Sequence, residues 1–479
     1  MRRLFLGALL VVVVSALVLP AAGGGADRPA VAAPLAHRVD SPVKHVIVLY
    51  LENQTFDSIE GYWCDDHPGR CPDGGMPAKV KLSNGAVVTP QDYPDVVPEE
   101  GHRVNDQTDA INGGKMNAWQ KVLDCQAPKY SCIGGYKPAQ EPNLISLLDQ
   151  FATADRFFSL ADSPSFGGHL DIVTSNLDGF LGNRPGPTRK IKPAWGWGCD
   201  SDQVAAWSAT PGGKLQGVPS CVPDYALSVP NGGAFEKTPV AFEPTIMDEL
   251  SEAGDSWKLY SGRCLKMTTE SNGLLTCEQG EPGYAWAICP VLAQCLYTQS
   301  AQHAVPTGQV LTDAQQGKLP NFAVITPTGP YALDSEHNGF SMTAGDDFVG
   351  KVASAIMNGP EWKSTVLFIT WDDCGCFYDG VAPPRNADGT QEGPRVPIAI
   401  VSPFAKHAYT MTQKSSFASI LAFTEHNYGL PALGVNDEHA YDMASAFDYS
   451  QAPLGPVRMI YCPQPRGDHI DLADEDDDT

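Results

Sequence analysis

The chain has 479 residues, a formal net charge of −24 and 13 cysteines. That charge argues against a nucleic-acid partner, because a phosphate backbone is held by a basic surface. It also works against docking on anionic lipid, while the length allows one large domain or a domain with a cap.

The N-terminus is laid out as an export signal. Arg2 and Arg3 open it, 4–19 is almost wholly apolar, and Ala21-Ala22 offers a small-residue cleavage site. We read 1–22 as a signal peptide with a twin-arginine flavour. The expected product is secreted, with no stable membrane insertion after cleavage. An uncleaved anchor is the alternative, although the run is slightly short of the ~20 residues of a span. Residues 23–41, rich in Gly, Ala and Pro, read as a linker. A domain over 42–462 follows. The last stretch, 463–479, is an acidic tail whose run from Asp474 to Asp478 reads as a solvated end.

Within the domain, short apolar runs at His45–Leu51, 322–326, 366–371 and 397–402 read as buried strands, each leaving into Gly, Pro or polar residues. A further strand is expected at 255–260. Helical spacing of apolar residues marks 143–151, 244–253, 348–357 and 415–426. Strands alternating with helices predict an α/β fold: a mainly parallel central sheet flanked by helices. Two Gly-, Pro- or Cys-rich stretches, near 185–237 and 264–302, read as disulfide-stapled insertions at the rim of a site.

Cysteines in an exported chain predict disulfides. Close spacing makes local bridges plausible for Cys64/Cys71, Cys125/Cys132, Cys199/Cys221, Cys264/Cys277 and Cys289/Cys295, though spacing does not determine connectivity. Cys374, Cys376 and Cys462 are left over. Zinc binding by the cysteines is the weaker alternative, since paired Cys-x-x-Cys units are lacking.

Two of the strands end alike. The first runs into Glu52-Asn53 and the other into Asp372-Asp373. Ligands of open α/β sheets bind outside that edge. If the strands are neighbours, four hard oxygen donors meet there, which suits a divalent cation. Helix capping by Asn53 or Asp57 is the blander reading of the first pair. A third segment, Ser163-Pro-Ser165-Phe-Gly-Gly-His169, combines a serine with glycines that let backbone approach closely. It reads equally as a capping serine and a turn.

Taken together these segments resemble the secreted bacterial phosphoesterases that include phosphatidylcholine-type phospholipase C and its related acid phosphatase. The family's H-V-I/V-I/V-L-x-x-E-N-R-S-F-D stands here as His45-Val-Ile-Val-Leu-Tyr-Leu-Glu52-Asn53-Gln54-Thr55-Phe56-Asp57. Its nucleophile segment, G-P-S/T-x-P-N-R/H, resembles Ser163 to His169. Its late T-Y/W-D-E-x-G-G-F-Y/F-D resembles Thr370-Trp371-Asp372-Asp373-Cys374-Gly375-Cys376-Phe377-Tyr378-Asp379. Weaker likenesses lie at Asn112 to Met116, at Thr245 to Tyr260, and in the segment that starts at Arg395.

The resemblance implies an alkaline-phosphatase-like fold and hydrolysis of phosphate esters or phospholipids. It implies Ser165 as nucleophile through a phosphoenzyme, with His337 and His102 as phosphate-binding or acid/base groups. Glu52, Asn53, Asp372 and Asp373 would surround a divalent metal of open identity (Mg, Ca, Mn or Zn). The departures are Gln54 for arginine, Asp373 for glutamate, Gly167-Gly168 for Pro-Asn, and Cys374 and Cys376 for His and Gly. The two cysteines raise the expectation of a disulfide-constrained late loop. Trp195, Trp197, Tyr284 and Trp286 look exposed and able to grip a head group, or else pack locally. A non-catalytic surface binding protein or a sulfatase-like hydrolase on the same scaffold is the alternative function.

Overall fold

Strand β1 (His45–Leu51) is buried at every residue but His45. It is covered on both faces, which is why its sequence is continuously apolar rather than alternating. The computed structural model describes residues 41–187, 196–201, 203–225, 227, 238–269, 275–281, 283–327 and 334–460. The signal peptide, nearly all of the linker, Trp195, Cys462 and the acidic tail lie outside the described residues.

The remaining strands of the main sheet are β2 (Ala152–Ala154), β3 (Trp257–Tyr260), β4 (Ala304–Val305), β5 (Phe322–Ile325), β6 (Thr365–Trp371), β7 (Ile398–Val401) and β8 (Tyr409–Met411). Their order is β4-β3-β5-β1-β6-β7-β2-β8. Strand β7 runs antiparallel to both β6 and β2. All the other pairings are parallel. The expected α/β sheet is therefore present, with one reversed strand inside it.

The central pair decides the geometry of the site. Strands β1 and β6 are in register from His45↔Thr365 to Leu51↔Trp371. Equal register makes Glu52 and Asp372 leave the sheet side by side, and Asp372 N donates to Leu51 O at 3.0 Å.

The helices that matter here are α1 (Phe56–Ile59), α2 (Pro142–Gln150), α3 (Ser165–Asp171), α4 (Ile246–Ala253), α5 (Met342–Met357) and α6 (Phe417–Tyr428). Helix α5 begins six residues before the expected 348, because Gly345, Asp346 and Asp347 break the apolar pattern of its first turns. Asp346 is buried there for a reason. Its carboxylate accepts from Asn143 N (3.0 Å) and Leu144 N (2.8 Å), capping α2 from a neighbouring helix.

All five expected local disulfides are formed. Those in the insertions hold a small antiparallel sheet containing Gln203–Trp207 and Gln216–Pro219, and a hairpin of Cys264–Thr269 with Leu275–Gly280. Among the described residues no helix is long and apolar enough to cross a membrane.

Candidate active site

At the end of β1 the chain turns sharply. Asn53 takes a left-handed φ of 64°, which asparagine tolerates better than most residues. The turn aims Asn53 N at Asp372 Oδ1 (2.8 Å), and Asp373 N donates to the same oxygen at 2.8 Å. Asp372 Oδ1 is thus satisfied by two backbone amides, while its buried Oδ2 has no hydrogen-bond partner.

Helix α3 brings the serine segment onto this edge. Pro164 precedes its first turn and does not cap it with a side chain, and Ser165 is the first helical residue. Ser165 Oγ donates to Glu52 Oε2 at 3.0 Å. The helix sits close because residue 168 is glycine: a Cβ there would lie 3.0 Å from Asp372 O and 3.1 Å from Asp372 Cβ. Tyr50 Oη fixes the approach by donating to Gly168 O at 2.8 Å.

One turn beyond Ser165, His169 faces the same way. Its Nδ1 lies 2.9 Å from Ser165 O, which assigns the Nδ1–H tautomer and leaves a lone pair on Nε2. Nε2 lies 3.3 Å from Glu52 Oε1. Burial pushes the His169 pKa down, so the ring is held neutral. Burial, then the neighbouring Asp372, pushes the Glu52 carboxyl well above its usual range. Glu52, His169 and Asp372 each present a ligand atom within 4.8 Å of the others, and all three are buried. Glu52 Oε1, Asp372 Oδ2 and His169 Nε2 have no hydrogen-bond donor facing them. Acceptors crowded together without donors are what a cation relieves, so these residues fit a metal ion.

The four expected oxygen donors thus divide into two groups. Glu52 and Asp372 share the cluster with His169. The Asn53 and Asp373 side chains face each other, with the Asn53 amide oriented so that Nδ2 donates to Asp373 Oδ1 (3.0 Å) and Oδ1 accepts from His337 Nε2 (2.8 Å). His337 Nδ1 lies 2.7 Å from Asn338 O. His102 stands next to it, with ring centroids 6.0 Å apart. Its Nδ1 is bonded to Glu100 O and its buried Nε2 has no hydrogen-bond partner. All seven expected residues are fully or almost fully buried.

His169 closes the serine segment without an expected role, and its i, i+4 spacing from Ser165 on a helix is the signal that puts it on the same face. The insertion aromatics also differ from expectation. Trp197, Tyr284 and Trp286 are buried, not exposed. Trp286 stacks on His337 at 5.8 Å, Trp197 lies 6.4 Å from His169, and Tyr284 donates to Asp200 at 2.6 Å. The insertions therefore roof the histidines.

The late loop is not closed by a disulfide. Cys374 and Cys376 are free and buried, with their sulfurs 2.9 Å apart. Its shape comes instead from left-handed Gly375 (φ 48°), whose N–H donates to Asp373 Oδ1 at 2.6 Å. Gln54, in place of the expected arginine, donates to Glu336 O at 3.0 Å and so ties the loop that carries His337 to the end of β1.

Behind the site, fully buried Arg395 joins the two strand-end segments. It reaches Asp57 at 3.0 Å and Asp379 at 3.1 Å, and donates to Asp155 O at 2.9 Å. Phe56 packs its ring 4.2 Å from the guanidinium. The last acids of both sequence signatures thus serve to brace them, not to line the cluster.

An α/β sheet with acids, a serine and histidines gathered at one strand edge defines a hydrolase-like class of site. The family model described as Phosphoesterase family matches residues 43–431, and the chain belongs to this family. Non-specific phospholipase C1 of Arabidopsis thaliana is 23% identical over 403 residues, covering 77% of this chain and 62% of that protein. A non-hemolytic phospholipase C of Pseudomonas aeruginosa is 23% identical over 457 residues, covering 85% and 57%. The chain therefore spans about six-tenths of the length of these relatives. A solved protein in the alkaline phosphatase superfamily from Vibrio parahaemolyticus is 12% identical, with 85% of this chain and 71% of that chain covered at a TM-score of 0.34.

Proposed function

We propose that this chain is a secreted, metal-assisted phosphoesterase that hydrolyses phosphate esters through a serine phosphoenzyme. The observation that carries the reading is the Ser165 hydroxyl hydrogen-bonded to Glu52, whose other oxygen belongs to the buried acceptor cluster. Membership of the Phosphoesterase family and relatives named phospholipase C support it and favour phospholipid-type diesters as substrates. The five disulfides support export. One domain over 42–462, carrying the insertions near 185–237 and 264–302, is the organisation we propose.

Glu52, His169 and Asp372 would hold the ion, and a donor set of two carboxylates and an imidazole favours Zn²⁺ or a transition metal over Ca²⁺. When bound, the metal would supply positive charge for a phosphoryl oxygen and lower the pKa of a nearby hydroxyl. Ser165 Oγ attacks phosphorus as its proton is held on Glu52 Oε2. The Oγ–P bond forms and the bond to the leaving alkoxide breaks. His102, whose Nε2 has no protein partner among the described residues, delivers a proton to that alkoxide, while both ring nitrogens of His337 are engaged by Asn53 and Asn338. Water then attacks phosphorus, its proton returning to the histidine, and the Oγ–P bond breaks as Ser165 Oγ takes back the proton held on Glu52. Asn53 orients His337 through its amide oxygen, and Asp373 holds the Asn53 amide from the side of Ser165. Burial under Trp286 and Trp197 keeps the charges in a low-dielectric setting where positioned dipoles count for most.

Release of p-nitrophenol from p-nitrophenyl phosphate and from its phosphocholine diester tests the reading. Turnover of the diester is expected to exceed that of the monoester, and Ser165→Ala is expected to lose about 10³-fold or more. Undiminished turnover in that variant would remove Ser165 from the reaction.

A further inference from the structure

Helix α3 has a second polar face that the proposed reaction does not use. Asp171 lies two residues past His169, about 200° further around the helix, so it points away from the cluster. It lines a separate cavity of about 720 Å³, to which none of the candidate site residues contributes. Asp171 is 1% exposed, and neither carboxylate oxygen has a hydrogen-bond partner among the described residues.

We propose that this cavity binds a small organic cation whose ammonium group pairs with Asp171. The other acids of the lining are already engaged. Asp388 accepts from Thr390 N at 2.8 Å and from Asn436 Nδ2 at 3.2 Å. Asp162 accepts from Thr108 Oγ1 at 3.1 Å. Arg385 stands at the exposed rim and donates to Gly389 O at 2.8 Å, so it does not neutralise Asp171.

An organic cation fits better than an inorganic one. Calcium takes six to eight oxygen ligands, and one carboxylate with free oxygens is far from that. The walls include Leu160, Leu177, Phe180 and Val435, and the volume is in the range of small-molecule sites. An apolar body would contact those walls while its ammonium group pairs with Asp171.

Calorimetric titration of the full chain at constant ionic strength, with tetramethylammonium, n-propylammonium or calcium chloride, tests this site. One-to-one binding of an ammonium probe is expected. It should weaken about tenfold or more in Asp171→Asn, because the buried charge partner is gone. It should also fall in Ala209→Trp, which blocks the exposed rim of the cavity. Ser165→Ala should bind as the parent does, which separates this site from the proposed catalytic one. If Asp171→Asn does not fold, the rim variant decides. Lack of binding by both ammonium probes, binding unchanged in the variants, or binding of calcium alone would each overturn the proposal.

Discussion

Ser165 Oγ donates to Glu52 Oε2 across 3.0 Å, although 113 positions separate the two residues in the chain. Strand β1 delivers Glu52 at its C-terminal end, and Gly168 lets α3 close onto the neighbouring Asp372. The same carboxylate faces His169 through its second oxygen. One side chain therefore joins the hydroxyl to the acceptor cluster.

His169→Ala removes the neutral member of the proposed metal cluster and leaves two crowded carboxylates. Metal affinity is expected to fall at least about tenfold. Elemental analysis after dialysis and a metal titration monitored by thermal unfolding would measure this without reference to turnover. Parent protein treated with chelator should lose activity and recover it with a single metal.

Arg395→Met leaves Asp57, Asp379 and Asp155 without their shared cation in a buried setting. Removing one side of such a buried network costs about 3–5 kcal/mol. Urea denaturation should show a lowered midpoint with an unchanged slope. Loss below about 1 kcal/mol would mean that the three acids are protonated rather than paired.

Glu60 predicts a pH dependence. Burial pushes its carboxyl up to about 8, only partly offset by Arg70 and Thr153. A raised carboxyl pKa means that the folded protein binds this proton more tightly than the unfolded chain does. Between the unfolded value and about 8 its contribution therefore falls as pH rises. Melting temperatures of the parent and Glu60→Gln, compared across pH 5–8, should show a flatter profile for the variant. A steeper one would contradict the sign.

Cys374 and Cys376 are expected to behave as shielded thiols. Burial pushes the Cys376 thiol well up, which further lowers its reactivity. Alkylation without prior reduction should leave the peptide that carries both unmodified in the native protein and modify both after denaturation. A peptide that resists alkylation even when denatured would indicate a disulfide.

Much of the frame was legible in the chain. Strand β1 ends where the apolar run ends, and β6 starts one residue before the expected run, because burial on both faces demands continuous β-branched and aromatic residues. The ends of the apolar runs placed the four side chains at strand ends, and the family resemblance singled out Ser165. Local cysteine spacing anticipated all five bridges. The reversed direction of β7 was not legible, since an apolar run carries no sign of its orientation. Nor was the early start of α5, where the buried Asp346 is polar in sequence but satisfied by the N-terminus of α2.

The sequence by itself determined which side chains stand at the sheet edge: Glu52 and Asn53 after one strand, Asp372 and Asp373 after the other, and Ser165 in a glycine-rich segment. Only the tertiary structure decided how they divide. In-register pairing of β1 with β6 and the left-handed turn at Asn53 send Glu52 and Asp372 toward His169, and the Asn53 amide toward Asp373 and His337. Periodicity tells which residues leave a strand together. Which way each carboxylate then faces depends on backbone amides and a helix more than 100 residues away, and no local pattern encodes those.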